Sequence, residues 1–294
     1  MLENPMSAAV PSRPDAELPD PQPRAGHPVR RQSRTRAAER RLLALLGEHQ
    51  VLTTTQLVRL TGEPERTVQY RLGASYHGGL VSRHRPAAAI GTCPHHWWLT
   101  AFGAAAIGAG TPQPWSEDLA AVRTVASLSD LWLDLKEHGP EVNLTLTTWR
   151  RLPDGFSYRD PRTGADRRLA VDAELGVRFG DIDVRALVFA RIDRVPRARL
   201  SSVVARWADF LAPPPCATPA RRPVAALVLT RNEHQGEAVL TAALAPAAPA
   251  VWVAVGRIEA CGGALATAAV WRSPADDHDW HLVDLLAGVV EAVK

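Results

Sequence analysis

A short apolar run with helix-start and helix-stop residues at fixed positions constrains the fold of this chain more than any other feature. Thr53 and Gln56 have capping-box spacing, in which a threonine and the side chain three residues later bind the free amides at a helix start. Gly62 provides a helix end, and Pro64 suits the first turn of a further helix, which is expected to run to about His77. The sequence therefore predicts two short helices joined by a tight turn.

Apolar and alternating segments on either side extend this pattern. A run of leucines at helical spacing predicts an earlier helix that begins near Thr35. After His77, the segment GLVSRHR alternates like a strand, AAAIGT is typical of a turn, and HHWWLT is expected to be the returning strand. Three short helices and a hairpin form the element order of a winged helix-turn-helix, which we predict for residues 35–110. The leucines of the first helix are Leu42, Leu43, Leu45 and Leu46.

Positive charge is concentrated in the same part of the chain. Residues 24–99 contain twelve arginines and four glutamates, a net charge of +8, although the whole chain carries only +3. Such a block is expected where a protein meets a polyanion. Residues 1–34 contain seven prolines and no apolar periodicity, and they predict a disordered tail whose basic end could lie along DNA phosphates.

The predicted module suggests which side chains would contact DNA. In a winged helix-turn-helix the helix after the turn lies in the major groove, where arginine matches guanine and glutamine matches adenine. Arginines on the hairpin are placed to meet the DNA backbone. Use of the same module for dimerisation or protein contact remains an open alternative. The predicted DNA-binding residues are Arg66, Gln69, Tyr70 and Arg71 of the helix and Arg83 and Arg85 of the hairpin.

Helices and strands alternate in the rest of the chain, which predicts an α/β domain of three layers over residues 115–294. The uncharged stretch 238–256 is interpreted as a loop leading into a buried strand, because its alanines and two prolines are unlike a membrane-spanning helix. The predicted elements are a long helix over 117–138, strands over 142–149, 169–175 and 184–192, a helix over 197–211, buried strands over 224–229 and 251–255, a strand over 267–271 and a closing helix over 282–293.

Six motifs in order carry a resemblance to a known family. The segments are VLTTTQLVRLTG, GLVSR and WWLTAFG in the first part, and TTWRR, LAVDAEL and LVFARIDR in the second. Over residues 37–272 they resemble the replication-relaxation family of plasmid and mobile-element proteins, common in actinobacteria. The resemblance implies a role in plasmid replication, DNA relaxation or transfer. It also implies that the second half is similar to the PD-(D/E)xK fold of restriction-endonuclease-like proteins.

The resemblance identifies candidate catalytic positions, and this chain departs from the family pattern at some of them. Asp172 fits the first aspartate of that pattern, but Val171 precedes it where the family commonly has proline. Asp193 fits the second aspartate, and Arg191 stands where the family has glutamate. The predicted helix over 197–211 contains no lysine.

These substitutions bear on whether the second half could cut DNA. A divalent metal such as Mg²⁺ needs two or more hard oxygen ligands in reach. Alternation along a strand would place Asp172 and Glu174 on one face, and Arg191 and Asp193 on one face of the next strand. Because arginine stays charged, we expect Arg191 to neutralise Asp172 or Asp193 in place of a metal. The prediction is an inactive scaffold, and the alternative is a metal-dependent endonuclease that uses Asp172, Glu174 and Asp193.

The other sequence motifs do not indicate a bound cofactor. No GxGxxG, P-loop, GxSxG or HExxH pattern occurs, and Cys93, His95 and His96 match no common zinc spacing. The N-terminus lacks the basic and apolar segments of a signal peptide, so a cytoplasmic location without membrane contact is expected. The expected partners are double-stranded DNA, relaxase or replication proteins and a second copy of the chain. A transcriptional regulator whose second domain senses a ligand or dimerises remains the other alternative.

Overall fold

The computed structural model describes most of the chain from the first predicted helix onward. The described residues are 37–86, 92–112, 115, 119–152, 154–160, 163–211, 225–244, 252–257, 265, 269–274 and 278–293. The predicted tail over 1–34 and most of the predicted AAAIGT turn lie outside them, and so does the predicted strand over 267–271 except for its last residues. Within the described ranges, no helix has the length and apolar character needed to cross a membrane.

The N-terminal part contains the helices and the hairpin that the sequence predicts. Thr53 Oγ1 accepts the amide of Gln56 at 3.1 Å, and Gln56 Oε1 accepts the amide of Thr53 at 2.8 Å, which is the predicted capping box. Gly62, at φ 69°, ends that helix as predicted. The elements are α1 (Ala37–His49), β1 (Leu52–Thr53), α2 (Thr54–Thr61), α3 (Glu65–His77), β2 (Val81–His84), β3 (His96–Leu99) and α4 (Ala101–Ile107).

A small sheet and an apolar core hold this part together. The three strands lie in the order β1-β3-β2, all antiparallel. Three of the four predicted leucines of α1 are buried, and they pack with one side chain from α2, two from α3, four from the strands and one from α4. The buried residues of this cluster are Leu42, Leu43, Leu46, Leu52, Leu57, Val68, Leu72, Val81, Trp97, Leu99 and Ala104.

The remainder is a mixed α/β structure built on one six-stranded sheet. Its strand order is β11-β10-β9-β8-β7-β4, in which β8, β9 and β10 are parallel and the other pairs are antiparallel. The elements are α5 (Leu119–His138), β4 (Leu144–Arg151), β5 (Phe156–Arg159), β6 (Asp166–Leu169), β7 (Ala173–Phe179), β8 (Ile182–Phe189), α6 (Arg197–Leu211), β9 (Ala225–Thr230), α7 (Glu233–Ala243), β10 (Trp252–Arg257), β11 (Trp271–Arg272) and α8 (Leu282–Val293).

Helices cover both faces of this sheet, which gives three layers. One face packs against Leu128, Leu131 and Leu135 of α5 and against α8. The other face packs against α6 and α7, with Trp207 stacked on Phe189 at 4.0 Å between ring centres. The predicted α/β class is confirmed.

Several predicted element boundaries are wrong, and the errors affect the candidate carboxylates. The predicted strand over 169–175 is two strands, β6 and β7, and Asp172 lies in the bend before β7. The predicted strand over 184–192 ends at Phe189, because the next two amides bind the Asp172 carboxylate instead of a neighbouring strand. Asp193 consequently lies in a 3₁₀ turn and not on a strand face. The predicted loop at 238 is also wrong, since α7 continues to Ala243.

The long helix α5 joins the two parts. Its first half packs against Val51 and Trp98 of the N-terminal part through Ala121, Val122 and Val125. Its second half packs against the large sheet. Contacts unite residues 35–294 into one compact unit.

Candidate nucleic-acid interface and the carboxylates of the sheet

The outer face of α3 is the first candidate site, and it is open to solvent. Tyr70 is 77% exposed, and Arg66 lies one turn before it on the same face. The face continues through Gly73 and Ala74 to the exposed His77. Among the described residues, neither Arg66 nor Tyr70 has a hydrogen bond or ion pair. This face is therefore available for a ligand.

The other two predicted contacts on α3 already bind carboxylates. Gln69 Nε2 donates to Glu65 Oε1 at 2.7 Å along the helix. Arg71 forms an ion pair with Glu63, which lies in the turn between α2 and α3, and both side chains are about one quarter exposed. Arg71 consequently stabilises the turn, and it is less available to a ligand than Arg66.

The hairpin arginines are held by aromatic rings. The guanidinium of Arg83 lies 4.6 Å from the ring centre of Tyr76 and 5.5 Å from that of Trp97. Arg85 Nη2 lies 3.1 Å from Nδ1 of His95. Burial, followed by the charges of Arg85 and Arg83, lowers the pKa of His95 to about 4, so its neutral ring can accept this hydrogen bond. These contacts hold the side chains of Arg83 and Arg85 on one face of the hairpin.

The second candidate site begins at Asp172, which is 7% exposed. Its Oδ2 accepts the amides of Ala190 at 2.8 Å and of Arg191 at 3.3 Å. Its Oδ1 accepts Nε of Arg191. The predicted pairing of Arg191 with Asp172 is present, although neither residue lies on the strand that was expected to carry it.

Glu174 lies in a separate set of contacts. Its side chain is 3% exposed and binds Arg150 Nη2 at 2.7 Å on one side and Arg185 on the other. The strand register explains both contacts, since Arg150 is opposite Glu174 and Arg185 lies two positions from the residue opposite it. The sequence reasoning missed both arginines. The TTWRR motif beside LAVDAEL contains the signal, but only the register reveals the pairing.

Asp193 forms a third set. Its Oδ1 accepts the hydroxyl of Thr230, and its Oδ2 accepts the amide of Arg231 at 3.1 Å. The three carboxylates of the metal-dependent alternative are therefore bound to different partners. In the part of the chain that the structure describes, no three His, Cys, Asp or Glu side chains are grouped closely enough to hold a metal ion. This arrangement does not fit Mg²⁺.

A buried polar contact sets the position of α2, and thus of α3, against α5. Gln56 Nε2 donates to Asp130 Oδ1 at 2.6 Å and to the carbonyl of Ala126 at 2.8 Å. Arg59 Nη2 forms ion pairs with Asp134 at 2.8 Å and Glu137 at 2.7 Å. Burial raises the pKa of Asp130 to about 7, and this outweighs the opposite effect of the Gln56 hydrogen bond.

Comparison with known proteins identifies a family. A family model described as replication-relaxation matches residues 43–212, which is more than half of the chain. The matched region begins in α1, includes α3 and the hairpin, and continues through Asp172, Glu174 and Asp193 to the end of α6. No curated protein and no solved structure matches the chain.

Proposed function

Because the chain belongs to the replication-relaxation family, which gives it a role in replication or relaxation, we propose that it performs this role by binding double-stranded DNA. Residues 37–107 act as a winged helix-turn-helix in this proposal. The helix α3 enters the major groove, and the β2–β3 hairpin is the wing that contacts the backbone. Arg66 and Tyr70 face the bases, while Arg83 and Arg85 contact phosphates.

The open face of α3 carries this proposal. Two neighbouring side chains there, Arg66 and Tyr70, are exposed and form no hydrogen bond or ion pair with the described residues. The stability of the fold therefore gives no reason for an arginine and a tyrosine at these positions. Further along the same face, a Cβ added to Gly73 would touch nothing within 4 Å, so packing does not require this glycine. A helix loses about 1 kcal/mol with glycine relative to alanine. Close approach to a DNA groove is a reason to keep glycine there.

We further propose that the sheet of the α/β part has the PD-(D/E)xK-like arrangement but does not cleave DNA. The support is that two of the three candidate carboxylates are paired with arginine side chains. Arg191 binds Asp172, and two arginines bind Glu174. A guanidinium remains charged at any accessible pH, so it competes directly with a metal ion for the same oxygens. The α/β part would then serve assembly, as a surface for replication proteins or for a second copy of the chain.

Arg66→Ala is expected to weaken binding of duplex DNA by about tenfold, because a bidentate arginine contact to guanine contributes about 1–3 kcal/mol. Fluorescence anisotropy with labelled duplexes from the host replicon measures the effect. Arg178→Ala is the matched control, since it removes the same charge from an exposed pair with Asp183 on the large sheet. Equal binding by the wild type and Arg66→Ala would contradict the assignment of α3.

Salt dependence provides a separate test of the DNA proposal. If about four phosphates are contacted, the wild-type affinity is expected to fall about 10²-fold between about 50 and 200 mM salt, because cations are released from the DNA on binding. The same anisotropy titration measures this slope. An affinity that is unchanged across the range would exclude phosphate contacts by the hairpin.

Gly73→Ala is expected to raise the free energy of unfolding by about 0.5–1 kcal/mol, because alanine favours the helix and its Cβ meets no neighbour. Gly73→Gln would keep most of this gain but place a long side chain on the DNA-facing surface. We expect chemical denaturation to show that both variants are stable and anisotropy to show weaker binding only for Gly73→Gln. Normal DNA binding by Gly73→Gln would exclude a close approach at this turn of α3.

A further inference from the structure

Glu65 and Gln69 form a pair in the first turns of α3, next to the side chains that would face the bases. Gln69 Nε2 donates to Glu65 Oε1 at 2.7 Å, and both side chains are exposed. Gln69 lies one turn after Arg66 and one turn before Gly73, so it belongs to the open face of α3. The first residues of a helix in the major groove are those that contact base edges.

The Glu65 carboxylate determines which end of the Gln69 amide faces it. An ionised carboxylate only accepts hydrogen bonds, whereas a glutamine amide has an acceptor oxygen and two donor hydrogens. The amide nitrogen of Gln69 therefore faces Glu65, and one of its two hydrogens is used there. The Gln69 Oε1 atom accepts no hydrogen bond from the residues that the structure describes. One acceptor and one donor hydrogen of this amide thus remain for a ligand.

This remaining pair of groups matches adenine and not guanine. In the major groove adenine presents an acceptor, N7, beside a donor, the N6 amino group, whereas guanine presents two acceptors, N7 and O6. A glutamine that turns freely can offer both of its hydrogens to guanine. When Glu65 holds one of them, a guanine in the same place would set its O6 against the oxygen of Gln69, and two facing acceptors repel each other.

We propose that Glu65 is a positioning residue through which Gln69 selects adenine over guanine. This inference rests on the proposed binding of duplex DNA, and it names one base of the target, beside the base that Arg66 contacts. A contact between side chains one turn apart also stabilises a helix slightly. That effect alone would change the affinity for every duplex by the same factor, so the ratio of two affinities separates the two roles.

Selection from a library of random duplexes tests the proposal with the full chain. We expect the duplexes bound by the wild type to share a position that is adenine, and a guanine there to raise the Kd about tenfold, as for one bidentate contact. Glu65→Ala is expected to remove most of this difference by tightening the binding of the guanine duplex. Glu48→Ala is the matched control, since it removes an exposed carboxylate from α1 and should keep the difference.

The double variant shows whether Glu65 acts through Gln69. Gln69→Ala is expected to lose the preference for adenine, and adding Glu65→Ala to it should leave the ratio of the two affinities unchanged. An equal loss of affinity for both duplexes in Glu65→Ala would indicate a helix-stabilising role alone and would overturn the proposal. So would a preference for cytosine that Glu65→Ala loses and Gln69→Ala keeps, because Glu65 would then contact a base itself.

These outcomes are distinct from a failure of the proposed function. In both contrary cases the chain still binds duplex DNA, so the winged helix-turn-helix proposal stands and only the role of Glu65 is excluded. If the library yields no bound duplex at all, the proposed DNA binding fails, and the selection of adenine fails with it.

Discussion

Asp172→Ala is expected to lower the free energy of unfolding by about 2–4 kcal/mol, because it removes a buried carboxylate that two backbone amides and the half-exposed Arg191 side chain share. The substitution leaves the amides of Ala190 and Arg191 without their acceptor and the Arg191 guanidinium without its counter-ion. It also removes the negative charge that favours the charged form of Arg151, which burial already disfavours. Urea denaturation followed by circular dichroism measures the loss.

The matched control is Asp172→Asn, which keeps an acceptor oxygen for the two amides and removes only the charge. We expect it to lose about half as much stability as Asp172→Ala, with both variants and the wild type inactive in a plasmid-nicking assay with Mg²⁺ or Mn²⁺. The endonuclease alternative makes the opposite prediction. It requires metal-dependent nicking by the wild type and its loss in Asp172→Asn with little change in stability.

Asp130→Asn is expected to stabilise the protein by about 3 kcal/mol near pH 8 and to have little effect near pH 4. The pKa of Asp130 is raised from 3.8 to about 7 in the folded protein, mainly by burial. Between these values the folded state binds one proton more than the unfolded state, so stability falls as pH rises. Asparagine cannot ionise and still offers Gln56 an acceptor oxygen, so this loss disappears in the variant.

Denaturation of both proteins between about pH 4 and 8 measures the effect as a difference between two curves. The difference is the informative quantity, because burial also lowers the pKa values of His49 and His96 to about 4. Those histidines destabilise the folded state as pH falls below 6.5, and they do so equally in both proteins. A flat difference between the two curves would mean that Asp130 ionises normally.

Local signals in the sequence predict the N-terminal helices well. The capping box at Thr53, the left-handed glycine at Gly62 and the proline at the start of α3 each act within a few residues. Their geometry therefore depends little on the rest of the fold. The leucine spacing of α1 also predicts its buried face correctly, because helical periodicity relates residues that are close in the chain.

The ends of strands could not be predicted in the same way. The alternation of LVFARIDR continues past Phe189, yet the strand stops there. The reason is that Asp172, eighteen residues before Ala190 in the chain, accepts the backbone amides of Ala190 and Arg191. A longer strand would need these amides for its own pairing. Charge and strand alternation together predicted that Arg191 would bind Asp172 or Asp193. Arg191 binds Asp172, but the strand faces expected to produce this contact were wrong.

Contacts between distant segments account for the remaining omissions. Arg150 lies opposite Glu174, and Arg185 lies diagonally across from it, only because β7 pairs with both β4 and β8. An arginine in isolation carries no sign of its partner, so the two arginines that bind Glu174 could not be inferred from residue type and spacing.

The sharing of α5 between two cores has a mechanical consequence. One half of this helix completes the apolar packing of the hairpin and the other half completes that of the sheet, and Gln56 and Arg59 fasten α2 to it. A rotation of α3 relative to the sheet would have to break both cores and the buried polar contacts together. A duplex bound to α3 would thus have a fixed orientation and a fixed distance relative to the sheet. The protein would behave as one rigid body and not as two domains joined by a flexible linker.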